Sequence, residues 1–339
     1  MSQKTASVDP RLNEREREIW KRVAVSPHRN LWRVEGVSIK GMVRRTTRGI
    51  MQDRLFGHAS ELGFYFLFAL FPTLFSASSI LGLAAQSAHQ IYDKLLNYLA
   101  LVIPTSALGM VLNTFNQTTA ASTTGKFTFG LIAAIWSASA GISALQDTLN
   151  AVYKLVERRS YIKARVQAIG LTIVLIVTVS LSLGSMLGGD LGAKWLEFHL
   201  HPEAAAEGAS MALRLGGWLF AAVFLALSFA LTYYWAPDLR ERRWRWFTPG
   251  TVIGMTGWII ASLGLRIYLH FFNNYSVTYG SLGAVIILLT WFYITGFLLL
   301  VGAEIDSEIQ ASAAECEIQK QKCEIEEQKS MQGSALPAA

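Results

Sequence analysis

The sequence predicts an all-α, polytopic membrane protein, and three observations carry that expectation. Six apolar stretches stand at 62–85, 127–147, 166–189, 212–235, 248–270 and 281–303, each of 21 to 24 residues. About 20 residues are enough to carry a helix across the ~30 Å hydrocarbon layer. Charged residues make up 16% of the 339-residue chain against 52% apolar ones, and mean hydropathy is +0.33. Lysine and arginine fall on alternate connections: segments 1–61, 148–165, 236–247 and 304–339 hold 13, 5, 4 and 3, whereas 86–126, 190–211 and 271–280 hold 2, 1 and 0. Basic residues near span ends stay on the cytoplasmic side, which places both termini there.

The elements follow in order. Residues 1–61 form a cytoplasmic basic arm, mixed in charge from Glu14 to Arg22 and then basic at Lys40, Arg44, Arg45, Arg48 and Arg54. Val37, Val43, Ile50, Met51 and Leu55 lie among those charges, so an interfacial amphipathic helix and a solvated arm are both open readings. The membrane domain covers 62–303. Pro72 stands inside the first span and predicts a kink there. Residues 95–112 are apolar but interrupted by Asn97, Pro104, Thr105 and Ser106. A crossing there would move the basic 148–165 connection outside, so 88–123 is read as outer amphipathic helices lying on or dipping into the bundle. Gly184, Gly188 and Gly192, then Gly250 and Gly254, have the four-residue spacing of close helix packing. Tyr275 and Tyr279 suit an interfacial belt, and Gly280 permits a sharp turn into the last span.

The tail, 304–339, carries two related heptads, 316–322 and 323–329, which place Cys316 with Cys323 and Ile318 with Ile325. A solvated helix and a homo-oligomer contact are both open. Seven residues on one helix separate the two cysteines by about 10 Å, too far for a disulfide.

Ionisable groups at membrane depth are costly unless paired or hydrated. Glu61 sits where the arm meets span one; Gln146, Asp147 and Asn150 crowd the end of span two; Glu304, Asp306 and Glu308 close span six; Arg266 lies toward the outer end of span five. In one reading these groups simply reach interfacial water or neighbouring arginines. In the other, Asp147, Asn150, Tyr153 and Glu304 line a polar substrate pathway, with Arg266 and Tyr279 toward its outer gate and Pro72 and Gly280 as hinges. His199 and His201 belong to a solvated outer loop lacking zinc-ligand spacing. No phosphate-cradling loop, HExxH or GxSxG motif occurs. No catalytic residue, metal or cofactor is therefore assigned. The excess charge of +6 is assigned to anionic lipid head groups at the cytoplasmic face, not to nucleic acid.

Particular strings also point to a family. Phe64-Tyr65 through Leu70-Phe71-Pro72, Trp136-Ser137-Ala138-Ser139, Leu149-Asn150-Ala151-Val152-Tyr153 with Arg159, Pro249-Gly250, Trp258, Tyr279-Gly280-Ser281-Leu282-Gly283, Trp291 and Gly302-Ala303-Glu304 follow one another in a recognisable order. Over about residues 40–310 the chain resembles the YihY/BrkB family of bacterial inner-membrane proteins, once labelled ribonuclease BN. Glu61 departs from the small residue of that pattern. The resemblance implies six membrane helices with both ends inside. It also implies an association with serum resistance, hence virulence, and with envelope lipid handling. The functional expectation is transport or scrambling of a lipid or other amphiphilic envelope component. A non-transporting scaffold binding partners through 88–123 is the alternative, and a membrane-bound ribonuclease the third reading.

Overall fold

The computed structural model describes residues 8–25, 31–32, 38–84, 124–199, 203–241, 244, 246–271 and 282–334. The predicted outer helices 88–123, the two tyrosines of 271–283, Gly280 and His201 lie outside the described residues. Eight helices make up what is described: α1 (Glu14–Val25), α2 (Ile39–Gln52), α3 (Leu55–Ala84), α4 (Thr124–Val152), α5 (Tyr161–His199), α6 (Glu203–Trp235), α7 (Pro249–Phe271) and α8 (Leu282–Ser334). The only extended pairing among the described residues is a single bridge between Val8 and Leu155.

Each predicted span falls on one of the helices α3 to α8. Among the described residues, four helices are long and apolar enough to cross a membrane: Tyr161–Glu197, Glu207–Trp235, Pro249–Phe271 and Leu282–Gln328. Leu55–Leu70 is a shorter apolar helix, and the backbone of α3 continues helical past position 72 to Ala84. Large apolar side chains stand exposed along α5 (Val166, Ile173, Ile176, Val177), α6 (Leu215, Leu219, Phe220) and α7 (Ile260, Leu263, Ile267). A contiguous apolar exterior of this kind is unfavourable in water and suits lipid. The chain is a multi-pass membrane protein.

Lipid tails are as apolar as leucine, so the helices are held by close packing and hydrogen bonds more than by water exclusion. Glycine makes the close packing possible. A methyl group at Gly189 of α5 would lie 2.7 Å from the Leu213 carbonyl of α6, and one at Gly217 of α6 would lie 2.6 Å from the Ser185 carbonyl of α5. Of the predicted Gly184, Gly188 and Gly192, the last meets α6, 3.4 Å from a Leu213 methyl by the same measure. Gly184 and Gly188 meet nothing within 4 Å, so the close contact runs through Gly189. Gly250 and Gly254 do face a neighbour: a methyl group on Gly302 of α8 would lie 2.6 Å from the Gly250 carbonyl, and Gly254 stands 3.2 Å from that of Leu298 by the same measure. Gly63 of α3 lies against the Tyr293 backbone of α8, and Gly296 of α8 against Leu62.

These contacts place the beginnings of α3, α5 and α7 beside the ends of α4, α6 and the apolar part of α8. Tyr233, near the end of α6, donates to the Leu299 carbonyl at 2.7 Å, and Gln167, near the start of α5, donates to that of Trp235. We call this the charged end. Here α8 does not stop. It runs on for about 46 Å beyond residue 303 at 1.5 Å per residue, and α1 and α2 pack against that extension. Arg15 bonds Glu315 at 2.5 Å, Arg22 bonds Gln321 at 3.0 Å, and Arg45 reaches both Ser312 (3.3 Å) and Glu315 (2.9 Å). The arm and the tail therefore form one helical cap, with Trp20, Val23, Ala311 and Ala314 buried. The two heptads are not equivalent: Ile318 is buried, while Cys323 and Ile325 are exposed.

Candidate functional site

Three pieces of chain converge where the cap meets the bundle. The first is the face of α2 formed by Thr46, Gly49 and Asp53, spaced three and four residues apart. Asp53 closes the helix, its amide bonding the Gly49 carbonyl at 2.8 Å, and Arg54 then adopts a left-handed φ of 54° before α3 begins. The second is the end of α4, where Lys154 takes a φ of 53° and Leu155 turns back to bond the Asn150 carbonyl at 2.8 Å. Left-handed backbone is uncommon outside glycine and is held only by surrounding contacts. One such residue, Arg54, follows Asp53 and the other, Lys154, is the ion-pair partner of Asp53, and the side chains of the pair are largely buried. The third piece is α8, which brings Glu304, Glu308 and Gln310 to the same place.

Glu304 lies at the centre. It is 1% exposed, and its Oε2 has no hydrogen-bond partner. The carboxyl rests on the bare backbone of Gly49, where a methyl group would come within 2.8 Å of Cδ. Thr46 Oγ1, Asp53 Oδ2 and Gln310 Oε1 are likewise buried without a partner. Gln310 donates to the Tyr153 hydroxyl at 3.3 Å, which ties the end of α4 to α8. Burial raises the Asp53 carboxyl above its ordinary range, against the pull of Lys154. No group of three or more His, Cys, Asp or Glu side chains is placed to hold a metal ion among the described residues.

A second polar centre joins α4, α5 and α6. The Asn150 amide donates to Glu157 at 2.8 Å and accepts the Asp238 amide at 2.7 Å, so both of its faces are occupied. Arg159 bonds Glu157 at 2.5 Å, Gln167 at 2.8 Å and the Ala236 carbonyl at 3.2 Å, and lies 3.8 Å from Asp238. Burial alone would raise the Glu157 carboxyl, but the Arg159 bonds hold it below the usual carboxylate range. This centre is a fully engaged joint.

The residues read from the sequence thus separate. Asn150, Tyr153 and Glu304 are buried, Asn150 in the joint and Glu304 against α2. Asp147 is exposed one position from buried Gln146. Arg266 is exposed on α7, about 24 Å along the helix from Gly250 at 1.5 Å per residue. Asp306 spends its carboxylate on the Gly250 amide, 2.8 Å away, capping the start of α7. Asp53 and Lys154, which the sequence reading passed over, complete the Glu304 centre. Their only sequence signal is a polar residue at each of two helix ends, and their pairing spans 101 residues.

The geometry accounts for several strings that follow one another in the chain. In the Trp136–Ser139 string, Arg165 of α5 bonds the Trp136 carbonyl (3.3 Å) and the Ser139 carbonyl (3.4 Å) and lies 4.5 Å from the Trp136 ring. Trp258 donates to Thr295 at 3.0 Å. Gly250 and Gly302 let α7 and α8 approach closely. Comparison with known proteins agrees with this pattern. A family model described as virulence factor BrkB matches residues 46–325. A ribonuclease-like protein of Bacillus subtilis, YfkH, is 34% identical over 257 residues, covering 74% of this chain and 88% of that protein. UPF0761 membrane proteins of Xanthomonas campestris and Stenotrophomonas maltophilia are 27% and 26% identical, covering 78% and 77% of this chain. The match spans 59% of the length of each of those two relatives. No solved structure matches. With most of its length matched by the family model, the chain belongs to the BrkB family of membrane proteins.

Proposed function

We propose that this protein crosses the bacterial inner membrane six times with both termini in the cytoplasm, and that it moves a lipid or other amphiphilic envelope component across that membrane without enzymatic chemistry. One observation carries the reading. A centre of three carboxylates and one lysine (buried Glu304 with partly buried Asp53, Glu308 and Lys154) lies where α2 closes over the bundle. Ionisable groups kept from water at the end of a membrane bundle are expensive, and they mark polar pathways more often than they stabilise a fold. At Gly49 the seat of α2 is bare backbone against the Glu304 carboxyl. The apolar flanks of the bundle would carry the tail of such a cargo. Asp147, exposed at the mouth of α4, would meet its head group.

The word ribonuclease in the name of the Bacillus relative describes that protein. The proposal is tested by reconstituting pure protein in liposomes with fluorescent phospholipid and comparing wild type with Asp147→Asn and Glu304→Gln. Lower lipid movement in either variant, at equal amounts of folded protein, supports the pathway. Unchanged movement in both removes these residues from it.

A further inference from the structure

The charges around Glu304 can be followed element by element. From α2 come Asp53 and, two turns earlier, Arg45; from the end of α4 come Tyr153 and Lys154; from α8 itself comes Glu308. On α3, His58 and Glu61 face each other at 3.5 Å. Each cation in this set has an anionic partner. Lys154 is taken by Asp53, and Arg45 bonds Glu315 at 2.9 Å. Glu304 is left with no hydrogen-bonded cation, 1% exposed, its Oε2 unpartnered and two further carboxylates nearby. A carboxylate held that way carries an uncompensated buried charge. The neutral acid fits the same space at far lower cost.

We propose that Glu304 is a proton-binding site and that its proton seats α2 on α8. Protonated Glu304 packs against Gly49 as a neutral group. When the proton leaves to cytoplasmic water, the carboxylate needs hydration, which it obtains only if α2 lifts about the Asp53–Arg54 turn. The left-handed Arg54 marks that turn as the one break between α2 and α3. On the transport reading above, the proton is then the co-ion of lipid movement, and this part of the proposal rests on that reading. The proton site itself does not.

Two measurements on the full-length protein test it without any flux. The first is infrared difference spectroscopy of the protein in lipid, titrated upward from about pH 5, above the ordinary glutamate value near 4.3. The expected result is a protonated-carboxyl band that persists into this range, disappears on further alkalisation, and is missing in Glu304→Gln but kept in Glu308→Gln. The second is hydrogen exchange of the α2 amides over the same range, corrected for the intrinsic pH dependence. Wild-type protection should fall as the band disappears, while Glu304→Gln should hold α2 protected throughout. No band in wild type, or a band that survives Glu304→Gln, overturns the site. If the glutamine variant does not fold, the wild-type exchange profile decides, and a flat profile overturns the coupling. A proton site of this behaviour in a protein that moves no lipid would retain the site and remove its role in transport.

Discussion

A methyl group decides whether α2 can sit where it does. At Gly49 it would press into the Glu304 carboxyl, and forced overpacking of this kind typically costs ~1–3 kcal/mol. Gly49→Ala should lower thermal stability in detergent by that order. The cost should shrink when Glu304→Ala is added, giving a coupling energy above about 0.5 kcal/mol in a double-mutant cycle. Additive losses would mean that the two residues do not meet. Lys154 offers a second test at this scale. Removing one partner of a buried pair leaves the other charge stranded, at about 3–5 kcal/mol. Lys154→Met should therefore destabilise strongly, and adding Asp53→Leu should recover most of the loss. Glu304 was legible in the sequence because it is a carboxylate at the end of an apolar run. Asp53 and Lys154 were not, because nothing local announces a contact between residues 101 apart.

Helices were legible as lengths and hydropathy, and less so as registers. The small-residue spacing in α5 pointed to the right helix and, at Gly192, to the α6 contact, but period-four counting also took in Gly184 and Gly188, which meet nothing, and passed over Gly189. The structure separates the candidates: Gly189→Ala should weaken α5–α6 packing, whereas Gly188→Ala, facing open space, should leave stability within experimental error. Thermal melts of the two variants check this, and equal losses would contradict the register. The α4–α5 turn gives a pH expectation. Glu157 has a folded-state pKa below its ordinary value, so its ionised form favours the folded protein. That stabilisation is present above the ordinary glutamate value near 4.3 and is lost as pH falls through the lower folded value. Glu157→Gln should flatten the acid limb of the stability profile, and an unchanged limb would place the acid sensitivity elsewhere. The cap was only half legible. The basic arm gave α2's charges, but its partner is the tail of the same chain, and pairing across that distance leaves no periodic trace.

At the scale of the whole molecule, alternating apolar and basic segments gave the membrane class and the ordering of helix ends before any coordinate. Of the polar centre under α2 they marked the carboxylates at the end of the last apolar run and not their partners, because burial of a charge depends on which helices meet. The membrane class and family are established, and lipid movement is the claim that most needs direct measurement. Pure wild-type protein would be reconstituted in liposomes bearing fluorescent phospholipid in both leaflets, with a membrane-impermeant quencher added outside. If the protein moves lipid, quenching should go well beyond the outer half of the label, at a rate that grows with the number of protein copies per vesicle. A plateau at half, with folded protein confirmed in the same vesicles, would contradict movement of that lipid and turn the reading toward a scaffold.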